Sequence, residues 1–158
     1  MPKQHNYRTR VVWTGNTGSG TSGYRAYERD HEVSADGPPT LPGTADPAFR
    51  GGKDRWNPEQ LLLASLAQCH MLSYLALCSL AGVVVTAYAD EADGTMTGDG
   101  AGGGRFTEAV LRPRVEVASP DDLDRARALH DEAHAKCFIA ASVNFPVHHE
   151  PVVTVRGA

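Results

Sequence analysis

From Leu61 to Ala89 the chain contains no Asp, Glu, Lys or Arg, and no other feature limits its folding options so strongly. About 20 apolar residues suffice to cross a bilayer, whereas a helix that is apolar all round can equally form the core of a soluble domain. Gln68, His70, Ser73 and Thr86 interrupt the run, Gly82 breaks it, and the β-branched Val83-Val84-Val85 reads as the start of a strand. These interruptions favour a core helix over a membrane span, so no membrane partner is expected. The polar segment Met1–Arg10 lacks the apolar stretch of a secretory signal, which points to a cytoplasmic protein.

The boundaries of that helix are written in its ends. Asn57 is a suitable N-cap, Pro58 needs no amide hydrogen at the first helical position, and Gln60 stands where a capping-box side chain reaches back. A helix from Asn57 to about Ala81 follows, stopped by Gly82. Before it, Arg8–Thr14 and Tyr24–Val33 read as a strand hairpin around the Gly-rich turn Gly15–Gly23, and the Pro-rich Ser34–Lys53 reads as an irregular loop. After it, strands at Val83–Ala92 and Phe106–Val117 form a long hairpin with a Gly-rich tip, Gly94–Gly104. Ser119-Pro120-Asp121-Asp122 opens a second helix, along which Leu123, Ala126, His130, Ala133, Cys137 and Ala141 share one face. Pro146 prevents further helix and Val152–Val155 closes the chain as a strand. The expected fold is one α+β domain over residues 1–158, with two long core helices packed against antiparallel β-sheets.

Acidic and basic residues nearly balance, 19 against 15, with no basic stripe, so no nucleic-acid partner is expected. Two stretches match G-x-G-x-x-G, at Gly18-Gly20-Gly23 and Gly98-Gly100-Gly103, but neither leads into a helix, so both read as hairpin tips rather than phosphate cradles. Three cysteines in a reducing compartment do not make a disulfide scaffold; a pair of them is better suited to catalysis or metal binding. Cys69 and Cys78 fall on opposite faces of one helix and cannot bridge, whereas Cys69 and Cys137 belong to different helices that can pack together. An inert small hydrophobe remains the plain alternative for each thiol.

The run Asn57-Pro58-Glu59-Gln60-Leu61-Leu62, continuing through Ala64-Ser65-Leu66-Ala67-Gln68-Cys69, resembles the central helix of the OsmC/Ohr family, the osmotically inducible and organic-hydroperoxide-resistance proteins. The resemblance extends to the second cysteine-bearing helix and the hairpin between the helices. It implies a thiol-dependent peroxidase that reduces organic hydroperoxides, with Cys69 as peroxidatic cysteine, Cys137 as resolving cysteine and Glu59 as the carboxylate that holds an activating arginine. For that arginine the resemblance points to Arg50, in the loop before the Asn-Pro-Glu motif; Arg25 and Arg29 of the first hairpin are the other candidates. The resemblance also implies an intertwined homodimer, no bound cofactor, and an external dithiol of lipoyl or thioredoxin type as reductant. One departure stands out: the family often has Cys-Pro at the second cysteine, where this chain has Cys137-Phe138-Ile139-Ala140.

The chemistry follows from the residues. A thiolate attacks the O–O bond, and a free cysteine, with a pKa of about 8.5, needs a neighbouring cation to ionise at neutral pH. Cys69 lies too deep in its helix for the dipole, whose effect fades within the first turn, so an arginine must supply the charge and Glu59 can hold it. Leu62, Leu66, Met71 and Phe138 are expected to form an apolar wall suited to an organic hydroperoxide. Two other readings remain open. His130, His134 and Cys137 at i, i+4 and i+7 would make a zinc-binding helix face, completed by His70 or Cys69, and a non-catalytic thiol protein would use the cysteines only as core filling. His70 cannot form a dyad with its neighbour Cys69, because adjacent helical residues point about 100° apart, and His148 and His149 are placed at the surface without a role.

Overall fold

The computed structural model describes residues 1–157. The chain divides into two compact units, residues 1–62 and 63–158, with the boundary inside the first long helix.

In the first unit, β1 (Arg10–Trp13), β2 (His31–Ser34) and β3 (Leu41–Gly43) form a three-stranded antiparallel sheet in the order β1-β2-β3. The opening hairpin is as expected, but its second strand begins only at His31, because Tyr24–Asp30 is occupied otherwise. The Arg29 guanidinium lies 3.9 Å from the Tyr27 ring centre and 4.5 Å from that of Tyr24. It also donates to the carbonyls of both tyrosines, at 2.6 and 2.8 Å, and these contacts keep the segment out of the ladder. The loop before the helix is less irregular than its prolines suggest: it contains β3 and one 3-10 turn, Pro47–Phe49, in which Asp46 Oδ1 accepts from the Ala48 amide at 2.7 Å.

Helix α1 spans Pro58–Leu80, within a residue of its expected limits. The capping box is present in both directions: the Gln60 amide donates to Asn57 Oδ1 at 2.9 Å, and the Asn57 amide donates to Gln60 Oε1 at 3.1 Å. Gly82 ends the helix with φ of 75°, a left-handed conformation that a Cβ would make costly.

The second unit holds two further three-stranded sheets. One has the order β4 (Val85–Asp90), β7 (Pro113–Val117), β9 (Val152–Val155); the other has β5 (Asp93–Gly98), β6 (Gly104–Leu111), β8 (Val147–His149). The long hairpin expected between the helices is therefore split, its base pairing Val85 with Val117 and its arm pairing Asp93 with Val110 down to Gly98 with Gly104. Asp90 Oδ1 takes the Arg112 amide at 2.7 Å at the break, and Pro113, which has no amide to donate, starts the second half. The sheets are mixed rather than antiparallel throughout, since β8 runs parallel to β6 and β9 parallel to β7. The Gly-rich tip is shorter than expected and closes at Asp99, whose Oδ1 accepts from the Ala101 and Gly103 amides.

A 3-10 turn capped by Ser119, Pro120–Asp122, leads into α2, Leu123–Lys136. Four positions of α1 spaced by four, Leu66, His70, Tyr74 and Cys78, are fully buried, and so are Ala126, Leu129, His130 and Ala133 of α2. Tyr74 and Cys78 share one core cluster with Ala126, Leu129, Ala133, Val115, Val117 and Val153. Leu66 belongs to another, with Ala109, Leu111 and Val147. Each fully buried leucine adds roughly 1.5–3 kcal/mol. α1 has the length and composition of a membrane span, but this buried strip makes it the core helix of the second unit.

Candidate thiol site

Cys69, five residues before Tyr74 on α1, is half-buried, while Cys137 is 2 % exposed. All three cysteines are free thiols. Cys137 is not central in its helix, as the spacing predicted. α2 stops at Lys136, and Cys137 is its C-cap, with φ −76° and ψ 111°. Its amide closes the last turn on the His134 carbonyl at 3.2 Å, and the chain then bends so that Ile139 and Ala140 join the Leu66 cluster. The side chain of Cys137 is thereby turned inward to Cys69.

The Cys69 and Cys137 thiols are neighbours. Burial pushes the Cys137 thiol up, and the adjacent Cys69 thiol pushes it up further. The backbone N–H groups of Ala140, 3.4 Å from the Cys137 sulfur, and of Ile139 pull the other way. Cys137 is thus held protonated beside Cys69. Cys78 lies apart from this pair, against Tyr74, its thiol raised first by burial.

Glu59 stands in the first turn of α1, and its Oε2 is buried with no hydrogen-bond partner among the described residues. A buried carboxylate oxygen left unpaired costs roughly 1–3 kcal/mol or more, so it marks a place for a donor. Arg50 is exposed, in the left-handed conformation at φ 68°, and makes no ion pair or side-chain hydrogen bond among the described residues. Arg25 is likewise exposed. Arg29 is committed to Tyr24 and Tyr27, and Arg55 to Asp30 at 3.4 Å and the His31 carbonyl. Of the expected apolar wall, Leu66 is 1 % exposed and packed into the core, so it cannot meet a substrate, whereas Phe138 is 78 % exposed.

The histidines assemble differently from the zinc-binding face. Because Cys137 leaves the helix, the i, i+4, i+7 pattern does not continue to it. His130 Nδ1 instead pairs with His70 Nε2 at 3.0 Å, both rings fully buried. The His130 ring stacks on Tyr74, centres 3.8 Å apart, and His149 lies 5.5 Å from both His70 and His134. Among the described residues no three His, Cys, Asp or Glu side chains form a set able to hold a metal ion. His149, given no role from the sequence, is half-buried in this stack and bonded to Asp131 at 2.8 Å; His148 is exposed. Burial is the main cause that lowers His70 to about 4 and His130 to about 3, with the neighbouring histidines adding to it, so both rings are neutral at physiological pH. The four-residue spacing of Leu66, His70, Tyr74 and Cys78 was the available signal for this buried strip.

The OsmC-like protein family matches residues 51–151, nearly two thirds of the chain. The chain belongs to the OsmC-like family. Solved structures agree over almost the full length. An OsmC-like protein of unknown function from Vibrio cholerae has a TM-score of 0.84 at 28 % identity, covering 94 % of this chain and 100 % of its own. An organic hydroperoxide resistance protein from Elizabethkingia anophelis has a TM-score of 0.69 at 16 % identity, covering 98 % of each chain. The organic hydroperoxide resistance protein OhrB of Bacillus subtilis has a TM-score of 0.60 at 20 % identity, covering 92 % of this chain and 98 % of its own. No curated protein matches the chain. The OsmC-like fold accounts for the two-helix α+β architecture with mixed sheets.

Proposed function

We propose that this OsmC-like protein is a cysteine-based hydroperoxide reductase in which Cys69 attacks the peroxide and Cys137 resolves the product. The observation that carries this reading is the sulfur neighbourhood itself: two thiols distant in sequence lie side by side, one half-buried and the other buried. A core-filling role would need neither the contact nor the difference in exposure.

The Cys69 thiolate attacks one oxygen of the hydroperoxide, the O–O bond breaks, and the alkoxide leaves as an alcohol after taking a proton. The sulfur becomes a sulfenic acid. Cys137 then attacks it, the S–S bond forms, and hydroxide leaves with the Cys137 proton as water. In this reading the guanidinium of Arg50 is held by Glu59 and favours the ionised sulfur, and the unpaired Glu59 Oε2 supports such a partner. An external dithiol reduces the disulfide. Relatives named as organic hydroperoxide resistance proteins support an organic substrate, and the exposed Phe138 beside Cys137 is suited to an apolar one. Leu72 and Leu80, 60 % and 86 % exposed on α1, support a homodimer that covers them. The reading includes a cytoplasmic location, where reducing dithiols are at hand.

The test is peroxide consumption with a dithiol reductant, wild type against Cys69→Ser. Turnover should fall by at least about a thousandfold in the variant. Full retention of consumption would leave the thiols as core filling. A clear preference for hydrogen peroxide over tert-butyl hydroperoxide would overturn the choice of an organic substrate.

A further inference from the structure

We propose that the dithiol reopening the Cys69–Cys137 disulfide attacks Cys69, and that Cys137 is the sulfur that leaves, received by the backbone N–H of Ala140. This inference rests on the disulfide of the preceding reading and adds which of its two sulfurs meets the reductant. Thiol–disulfide exchange needs an approach to one sulfur and a leaving thiolate at the other, so access and leaving-group stabilisation decide the direction together. Access favours Cys69, which is half-buried against 2 % exposure for Cys137. Burial works against Cys137 as a leaving thiolate, but its sulfur already lies 3.4 Å from the Ala140 amide nitrogen, which can receive it.

The reduced pair explains how this works. Burial and the neighbouring Cys69 sulfur both push the Cys137 thiol up, while the N–H groups of Ala140 and Ile139 oppose them. Once Cys69 is joined to the reductant its thiol no longer adds to that rise, and the two N–H groups then oppose burial alone. In Cys137-Phe138-Ile139-Ala140 every residue after the cysteine has an amide hydrogen, and the bend after α2 carries those of Ile139 and Ala140 to the sulfur.

The step balances as follows. One reductant thiolate bonds to the Cys69 sulfur, and the S–S electron pair departs with Cys137, which takes a proton from solution. The second reductant thiol loses its proton and attacks the reductant's own sulfur in the mixed disulfide. Cys69 is released as thiolate, and the dithiol is oxidised by two electrons to its disulfide.

The experiment forms the protein disulfide with diamide, which needs no peroxidase activity, then adds 2-mercaptoethanol, quenches with acid and maps the adduct by peptide mass spectrometry. The expected result is the adduct on Cys69 with Cys137 free; an adduct on Cys137 overturns the proposal, as does failure of diamide to join the two. A disulfide that forms with diamide but not with peroxide would instead remove the peroxidase reading while the site of attack is still read. As a second measurement, Ala140→Pro, which deletes the N–H, should slow reduction by about threefold to tenfold, with Ala140→Gly unchanged. Equal rates in wild type and Ala140→Pro, or equal slowing in both variants, would show that the N–H is not what receives the sulfur.

Discussion

Cys69 and His70 are neighbours on α1, yet the two contacts they make differ in almost every physical respect. Cys69 is half-buried and meets a thiol at the bend after α2, where backbone amides converge on sulfur. His70 is fully buried and meets His130 in the middle of α2, its ring between His130 and His149. One step of about 100° around a helix separates a site open to reactants from a polar pair closed to them. A buried titratable group is therefore not by itself a reactive one; reactivity here needs a route for reactants and a partner able to exchange bonds.

The largest test of that contrast is acid. The folded values of His70 and His130, about 4 and about 3, lie below the ordinary histidine value of 6.5. The unfolded chain therefore binds more protons through this interval. Stability from the neutral buried pair is fully present above about pH 6.5 and is lost as the pH falls through the folded values. For His70 alone the loss between pH 7 and pH 4 should be on the order of 3 kcal/mol. Urea unfolding across this range would show it, and His70→Leu/His130→Leu should flatten the slope. His149, His134 and Asp131, which face the pair, stay unchanged in that variant. An equally steep slope in the double variant would mean that the pair is not the acid-sensitive element.

Next in size is Glu59→Gln, which keeps the shape of the side chain and removes its charge. Turnover with organic hydroperoxide should fall about tenfold to a hundredfold, with the far-ultraviolet circular dichroism unchanged. An unaltered rate would detach Glu59 from the sulfur site.

The smallest effect is expected at Cys78, the third thiol, which is as buried as His70 and packed on Tyr74. Cys78→Ala should cost about 1–2 kcal/mol in a thermal melt and leave turnover unchanged. A loss of turnover matching that of Cys69→Ser would place all three cysteines in one function and erase the contrast.

Sequence alone set the limits of α1, because its end signals are local: Asn57 and Gln60 bond each other across one turn, and Gly82 takes a conformation that other residues avoid. The tertiary structure decided the rest. That α2 ends before Cys137, that the long hairpin splits at Asp90 and Pro113, that two strands pair in parallel, and that Arg29 is tied to two tyrosines all follow from contacts between residues distant in sequence. The same holds for His149, which shows no local sign of the stack it joins. Caps and turns act within a few residues and can be read along the chain, whereas burial and bond partners depend on which surfaces meet once it has folded.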